Sequence, residues 1–280
     1  MSFEIRKIAD VGTGHPVVAR LGMQTVEVLG SFGVDKGTRD AISGLYIHTL
    51  TPRLLRCHQA RDEIVRLMNE SIGGITQQDG SRMREVPHVI NLEGLVAQFL
   101  YEAKNYIRDL LGLFETVYGC RLKDASAFAD MKNKGECEFV KWANEKFGAQ
   151  NSLSEMVMTD QGWIGEVIRS RNAVEHPGGL SGTLTIQNIR LDPQRAGAFI
   201  APTWQRTGNP ENSIVEDMDC GLENLLTLGE DLLIEVVKRG ERAELISFYL
   251  IPVEERRPEC PVRIRASFSP EVLAKFPGKI

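Results

Sequence analysis

The sequence predicts a mainly α-helical protein, a bundle of five or six helices carrying short β additions. Three observations carry that expectation. Apolar residues recur at helical spacing over about 91–118 and 212–239, lengths no ordinary strand reaches. Residues with helix-capping chemistry precede several of these stretches. Clean period-two alternation is confined to short segments, near 183–191 and within 245–268.

Taken in order, residues 3–34 read as extended. Phe3-Glu4-Ile5-Arg6-Lys7-Ile8 and Thr25-Val26-Glu27-Val28-Leu29 alternate and predict short strands. Asp35 is an N-cap for a helix reaching about residue 50. Pro52 then starts or kinks a second stretch over 53–70, with Leu54, Leu55, Ile64, Leu67 and Met68 on one side. Residues 71–86 hold Gly73, Gly74 and Gly80 among polar neighbours and predict a long loop. Asn91 is positioned to cap the strongest helix, whose stripe includes Leu92, Val96, Phe99, Leu100, Ile107, Leu110, Leu111 and Phe114, and which ends near Gly119. A further helix is expected over 126–147. Another begins at Ser152-Leu153-Ser154-Glu155, which has capping-box spacing, and ends near Asn172.

Beyond residue 180 the pattern changes. Thr183 to Leu191 alternates, and with Phe199-Ile200-Ala201-Pro202-Thr203-Trp204 it predicts a β-hairpin inserted near 180–207. A helix follows Pro210, with Ser213 and Glu216 in capping-box spacing and Ile214, Met218, Leu222, Leu225 and Leu226 on its apolar face. Strands over 245–253 and 262–268 close the pattern. The organisation expected is an N-terminal region over 1–86 packed on the core, a helical core over 87–242 and C-terminal strands over 243–280.

Composition limits the function classes. The formal charge of −5 and pI near 5.7 argue against a protein that coats nucleic acid, while leaving room for a local basic site. Cys57, Cys120, Cys137, Cys220 and Cys260 lack CxxC spacing and read as reduced thiols. No signal-peptide pattern follows Met1 and no apolar run reaches membrane-span length, so a cytoplasmic protein without a membrane partner is expected. Cys57-His58 has no second ligand pair, and Glu216, Asp217 and Asp219 suit a helix start by charge alone. Neither a metal nor a cofactor is expected.

The most informative segment is Arg171-Asn172-Ala173-Val174-Glu175-His176, followed by Pro177-Gly178-Gly179. The residue before a proline is driven out of the α region, so the helix must end there. A guanidinium, an amide and an imidazole then converge at an exposed helix end. Such a group suits an anionic phosphate: the guanidinium can hold two oxygens and the imidazole can carry a proton. A helix end whose cations offset the macrodipole would use the same residues.

Arg171, Asn172 and His176 resemble the Arg-x4–6-His signature of the HEPN superfamily, helical-bundle domains found in RNA-cleaving toxins, phage-defence effectors and RNA-processing nucleases. The resemblance spans about residues 88–240. It implies metal-independent RNA cleavage by attack of a ribose 2′-hydroxyl, with His176 as general acid or base, Arg171 stabilising phosphoryl charge and Asn172 orienting one of them. It implies a homodimer that brings two motifs into one cleft, and an antitoxin or defence partner protein. It also allows a catalytically inactive module that binds nucleotides or protein. Members silenced by a nucleotidyltransferase carry a tyrosine two residues after the motif histidine; Gly178 stands there in this chain.

Several residues are candidates for substrate contact beside the motif. The long helix often passes it in such bundles, so Asn105 and Asp109 are candidates to brace the Arg or the His. Arg169 could thicken the positive potential around Arg171, or pair with Glu166. From the hairpin, Arg190 and Trp204, with Arg195 and Arg206, could reach substrate or form a solvated face.

Overall fold

The computed structural model describes residues 9–76, 86–131, 135–195, 198–241 and 243–274. The protein is mainly helical, with short strands in small sheets. The strand expected over 3–8 lies outside the described residues.

The first helix, α1 (residues 16–30), runs as Pro16–Val18, a π-helical turn Ala19–Met23, and Gln24–Gly30. The strand expected over 25–29 is therefore helical. Its buried residues are Gln24, Thr25, Val28 and Leu29, with Val26 and Glu27 exposed. That spacing follows a helical face, and five residues are too few to separate it from alternation. Helix α2 (residues 36–76) starts at Asp35, whose Oδ1 accepts the Thr38 N–H at 3.0 Å. It continues through Pro52 without a break, because a π-helical turn at Leu45–Leu50 changes the hydrogen-bond register just before the proline. The Thr51 hydroxyl donates to the Tyr46 carbonyl there, at 2.9 Å. The helix runs to Thr76, into the segment expected to be a loop, and 77–85 lie outside the described residues.

Helix α3 (Leu92–Tyr118) ends at Gly119, whose φ of 69° needs a residue without a Cβ penalty. Asn91 precedes it, but makes no capping bond through its side chain. The helix expected over 126–147 is divided. A short 3₁₀ turn, Ala125–Phe128, precedes α4 (Glu138–Phe147), and Gly135 between them has a φ of 89°. Its aromatic residues still share one cluster, with the Phe114 and Phe139 rings 4.7 Å apart.

Helix α5 (Ser152–Glu175) is capped by Asn151, whose Oδ1 accepts the Ser154 N–H at 3.1 Å; the expected Ser152 cap is not used. The Ser152 hydroxyl instead donates to Glu235 at 2.5 Å. The hairpin after the motif is present and extended. β1 (Leu184–Gln187) pairs with β4 (Thr203–Arg206), β2 (Arg190–Leu191) with β3 (Phe199–Ile200), and β5 (Asn212–Ser213) joins β4. Ser213 caps α6 (Ile214–Val237) through the Glu216 N–H, as its spacing predicts. The last two strands, β6 (Ile246–Leu250) and β7 (Ile264–Phe268), pair antiparallel. No helix among the described residues is long and apolar enough to cross a membrane.

Helix α3 packs against α2, α5 and α6, and α3 and α6 contribute the largest shares of the central core. The ends of the described chain are tied to α6 by a buried polar knot. Arg20 is 2% exposed, and its guanidinium donates to Glu230 at 2.9 and 2.5 Å. Gln24 donates to Glu230 at 2.7 Å and accepts the backbone N–H groups of Arg263 and Ile264. Arg263 reaches Asp231 at 2.7 Å. One carboxylate thus joins α1, α6 and the start of β7.

Arg20→Met leaves Glu230 buried with too little positive charge beside it. This variant should lose about 3–5 kcal/mol in urea unfolding, and adding Glu230→Leu should recover much of that loss. An unchanged midpoint for Arg20→Met would exclude the knot as a major support.

His58 supplies a pH-dependent term. Burial, then the neighbouring His15 ring at 4.8 Å, push its pKa from 6.5 down to about 4. The folded value lies below the unfolded one, so this stability is whole above about pH 6.5 and declines as pH falls toward 4. Between pH 7.5 and 4.5, wild type should lose more stability than His58→Gln in matched denaturation curves. Parallel losses would rule out this contribution.

Candidate active site

Helix α5 ends where Pro177 requires it. His176 has left the helical region, at φ −130° and ψ 69°, yet its N–H still donates to the Asn172 carbonyl at 2.8 Å. Arg171, Asn172 and Glu175 therefore belong to the last helical turn, and His176 stands just beyond it. Gly178, at φ 77°, turns the chain back toward β1. Gly182 closes that turn, and a Cβ there would lie 2.6 Å from Thr207.

The motif side chains line one solvent-open hollow of about 410 Å³, with Lys104 from α3 and Ser181 from the turn. Arg171 pairs with Glu175, one turn along the helix. The same Glu175 carboxylate lies 3.5 Å from His176 Nε2, so it bridges cation and imidazole. Asn172 Oδ1 accepts from Lys104 Nζ at 3.0 Å. The Arg171 guanidinium lies over the Tyr101 ring at 5.9 Å. Arg171 is 20% exposed and His176 73%, so the cation is anchored while the imidazole is open to solvent.

Burial, and then the Arg171 charge, hold the Lys104 ammonium below its usual pKa. Asp124 opposes this only in part. Two cations crowded at a half-buried wall favour an anion between them, which relieves their repulsion.

The α3 side chains that meet the motif are Tyr101 and Lys104, not the expected Asn105 and Asp109. Residues three apart share a helix face, whereas Asp109, five residues past Lys104, falls on a different one. Asp109 is held by Arg53 of α2 at 2.8 Å and by Arg108. Asn105 is buried, and its Nδ2 has no hydrogen-bond partner among the described residues. The i, i+3 pair Tyr101 and Lys104 was the available signal, a polar stripe beside the apolar one.

Arg169 does not reinforce Arg171. Two residues is more than half a turn, and its guanidinium donates to the Asp130 carbonyl at 3.4 Å. Nor does it pair with Glu166, which is held by Arg206 at 2.7 and 2.8 Å and accepts from Asn209 at 2.8 Å. Burial alone would raise the Glu166 carboxyl; the Arg206 hydrogen bonds and charge, with the Asn209 amide, outweigh it and hold it low. This pair fastens the hairpin to α5. Arg190 is occupied by Glu211, and Arg195 is exposed. Trp204 donates to Asp217 at 2.6 Å and lines a different cavity from the motif hollow.

Among the described residues, no group of three or more His, Cys, Asp or Glu side chains is arranged to hold a metal ion. Compared with protein-family models, curated proteins and solved structures, the chain has no match.

Proposed function

We propose that the chain is a HEPN-type endoribonuclease that cleaves RNA by attack of a ribose 2′-hydroxyl on the adjacent phosphorus. The observation that carries this reading is Glu175, a carboxylate bridging Arg171 and His176 beside Lys104. An internal anion holds the seat that a phosphate would take, and a phosphate offers more oxygens to the same cations.

In the reaction, the 2′-oxygen forms a bond to phosphorus as its proton passes to a neutral imidazole. The bond to the 5′-oxygen breaks, and that oxygen takes a proton from an imidazolium. The products are a 2′,3′-cyclic phosphate and a 5′-hydroxyl, with no water consumed. Arg171 neutralises charge growing on the non-bridging oxygens. Lys104 positions Asn172 and adds positive potential. One His176 serves one proton transfer best, so we propose that a second copy supplies the other across a two-fold axis. Fully exposed Leu180 and half-exposed Tyr101 beside the hollow support such a contact. A toxin or phage-defence setting with a partner protein belongs to the same proposal.

A second reading is a catalytically inactive module that binds nucleotides or a protein through this hollow. The pairing of Glu175 with Arg171 favours it, because the cation is already occupied.

The test is incubation with single-stranded RNA in EDTA, with end-group analysis of the products. Cyclic-phosphate ends are expected, with His176→Ala and Arg171→Ala at least about 100-fold slower and circular dichroism unchanged. Glu175→Gln, which removes the negative charge held against Arg171, should tighten RNA binding. RNA retained but uncut would support the binding module; cleavage equal in wild type and both alanine variants would exclude the motif.

A further inference from the structure

A second cavity, of about 230 Å³, lies between α3, α5, α6 and the hairpin. Its apolar wall is formed by Phe99, Trp163, Val167, Leu184, Trp204 and Leu225. Both indoles are half-buried, and each has its only polar atom tied down. Trp163 Nε1 donates to Asp160 at 3.0 Å and Trp204 Nε1 to Asp217 at 2.6 Å. Those bonds fix the rings and leave their apolar faces available. The Arg206–Glu166 pair holds the hairpin wall against α5, so the cavity exists before any ligand arrives.

The polar groups narrow the ligand further. Glu166 is saturated by Arg206, Asn209 and Ser170. With Asp217 close by, an anionic group gains nothing inside. Two amides remain available. The Asn224 side-chain amide donates only to the weak Cys220 sulfur at 3.7 Å, and Asn212, which also lines the cavity, has its side chain at the surface. A flat, uncharged ring with apolar faces and a donor–acceptor edge matches this set.

We infer that the cavity binds a nucleobase, carried by a free nucleotide or by a single strand of RNA. Ser170 lines this cavity while the next residue, Arg171, lines the motif hollow. A base held here would bring its phosphate toward Arg171. That last placement rests on the nuclease reading; the base site does not.

Intrinsic fluorescence provides the test, because two of the three tryptophans line the cavity and Trp142 packs in the aromatic core. The full chain is titrated with the four ribonucleoside monophosphates, with ribose 5-phosphate, and with a 2′-O-methyl oligonucleotide that cannot be cleaved. Saturable quenching by base-bearing ligands and none by ribose 5-phosphate is expected. Quenching by monophosphates identifies free nucleotides as a source, and quenching by the oligonucleotide alone identifies the strand. Trp204→Leu should weaken binding about 10-fold or more, and Trp204→Phe should retain most of it. Val167→Phe fills the cavity from α5 without touching the hairpin anchors, and should abolish binding in a folded protein. Binding of adenosine should survive His176→Ala and Arg171→Ala. Base binding without RNA cleavage would sink the nuclease reading alone. The base site is overturned if no ligand quenches, or if quenching is equal in wild type and Val167→Phe.

Discussion

The stop imposed on α5 by Pro177 is the constraint on which the functional geometry depends. A proline forces its predecessor out of the helix, so the chain cannot carry His176 onward as another helical residue. The His176 N–H still closes on the Asn172 carbonyl, and the polar side chains of the last turn stand at the surface. Arg171, Asn172 and Glu175 are held within the helix, whereas His176 stands just beyond it with its ring open to solvent. The proposed anion site uses both: an anchored cation and a solvent-open group that can carry a proton. Two supports keep this helix end in place. Tyr101 and Lys104 of α3 hold it from one side, and Arg206 binds Glu166 three turns back.

Behind the site, the fold depends on how few buried charges it tolerates and how fully it satisfies them. The Arg20–Glu230 pair would be costly if either group stood alone. Gln24, Arg263 and Glu223 complete its hydrogen bonds, so one knot fastens the first helix and the last sheet to α6. Alpha6 in turn packs on α3, the helix that supports the motif. The N-terminal arm and the C-terminal strands are therefore structural partners of the core.

Long amphipathic elements were legible from residues alone: α3, α6, and the β1–β4 hairpin follow their apolar periods. The exposed end of α5 was equally legible, because the Pro-Gly-Gly stop is a local rule. Two kinds of feature were not. Thr25 to Leu29 fits two periods, and only its packing against α6 and β7 chooses the helix. Pro52 looks like a break, yet a π-helical turn absorbs it, and nothing in the local composition announces that turn. In the site, Arg171, Asn172 and His176 were visible as a spacing. Lys104 and Tyr101 showed only as a pair three residues apart on α3, because which face of α3 meets α5 is decided by tertiary packing. The charge sum left room for a local basic site, and this chain of net charge −5 gathers Arg171 and Lys104 at one wall.

In the proposed function, Glu175 stands in for phosphate between a guanidinium and an imidazole. Histidine NMR tests it most directly, with the His176 ring signal assigned by His176→Gln and followed as inorganic phosphate or a 2′-O-methyl dinucleotide is added. A saturable movement of that signal is predicted, stronger in affinity for Glu175→Gln and absent in Arg171→Ala. A signal that stays in place, or moves equally without Arg171, would contradict the anion seat.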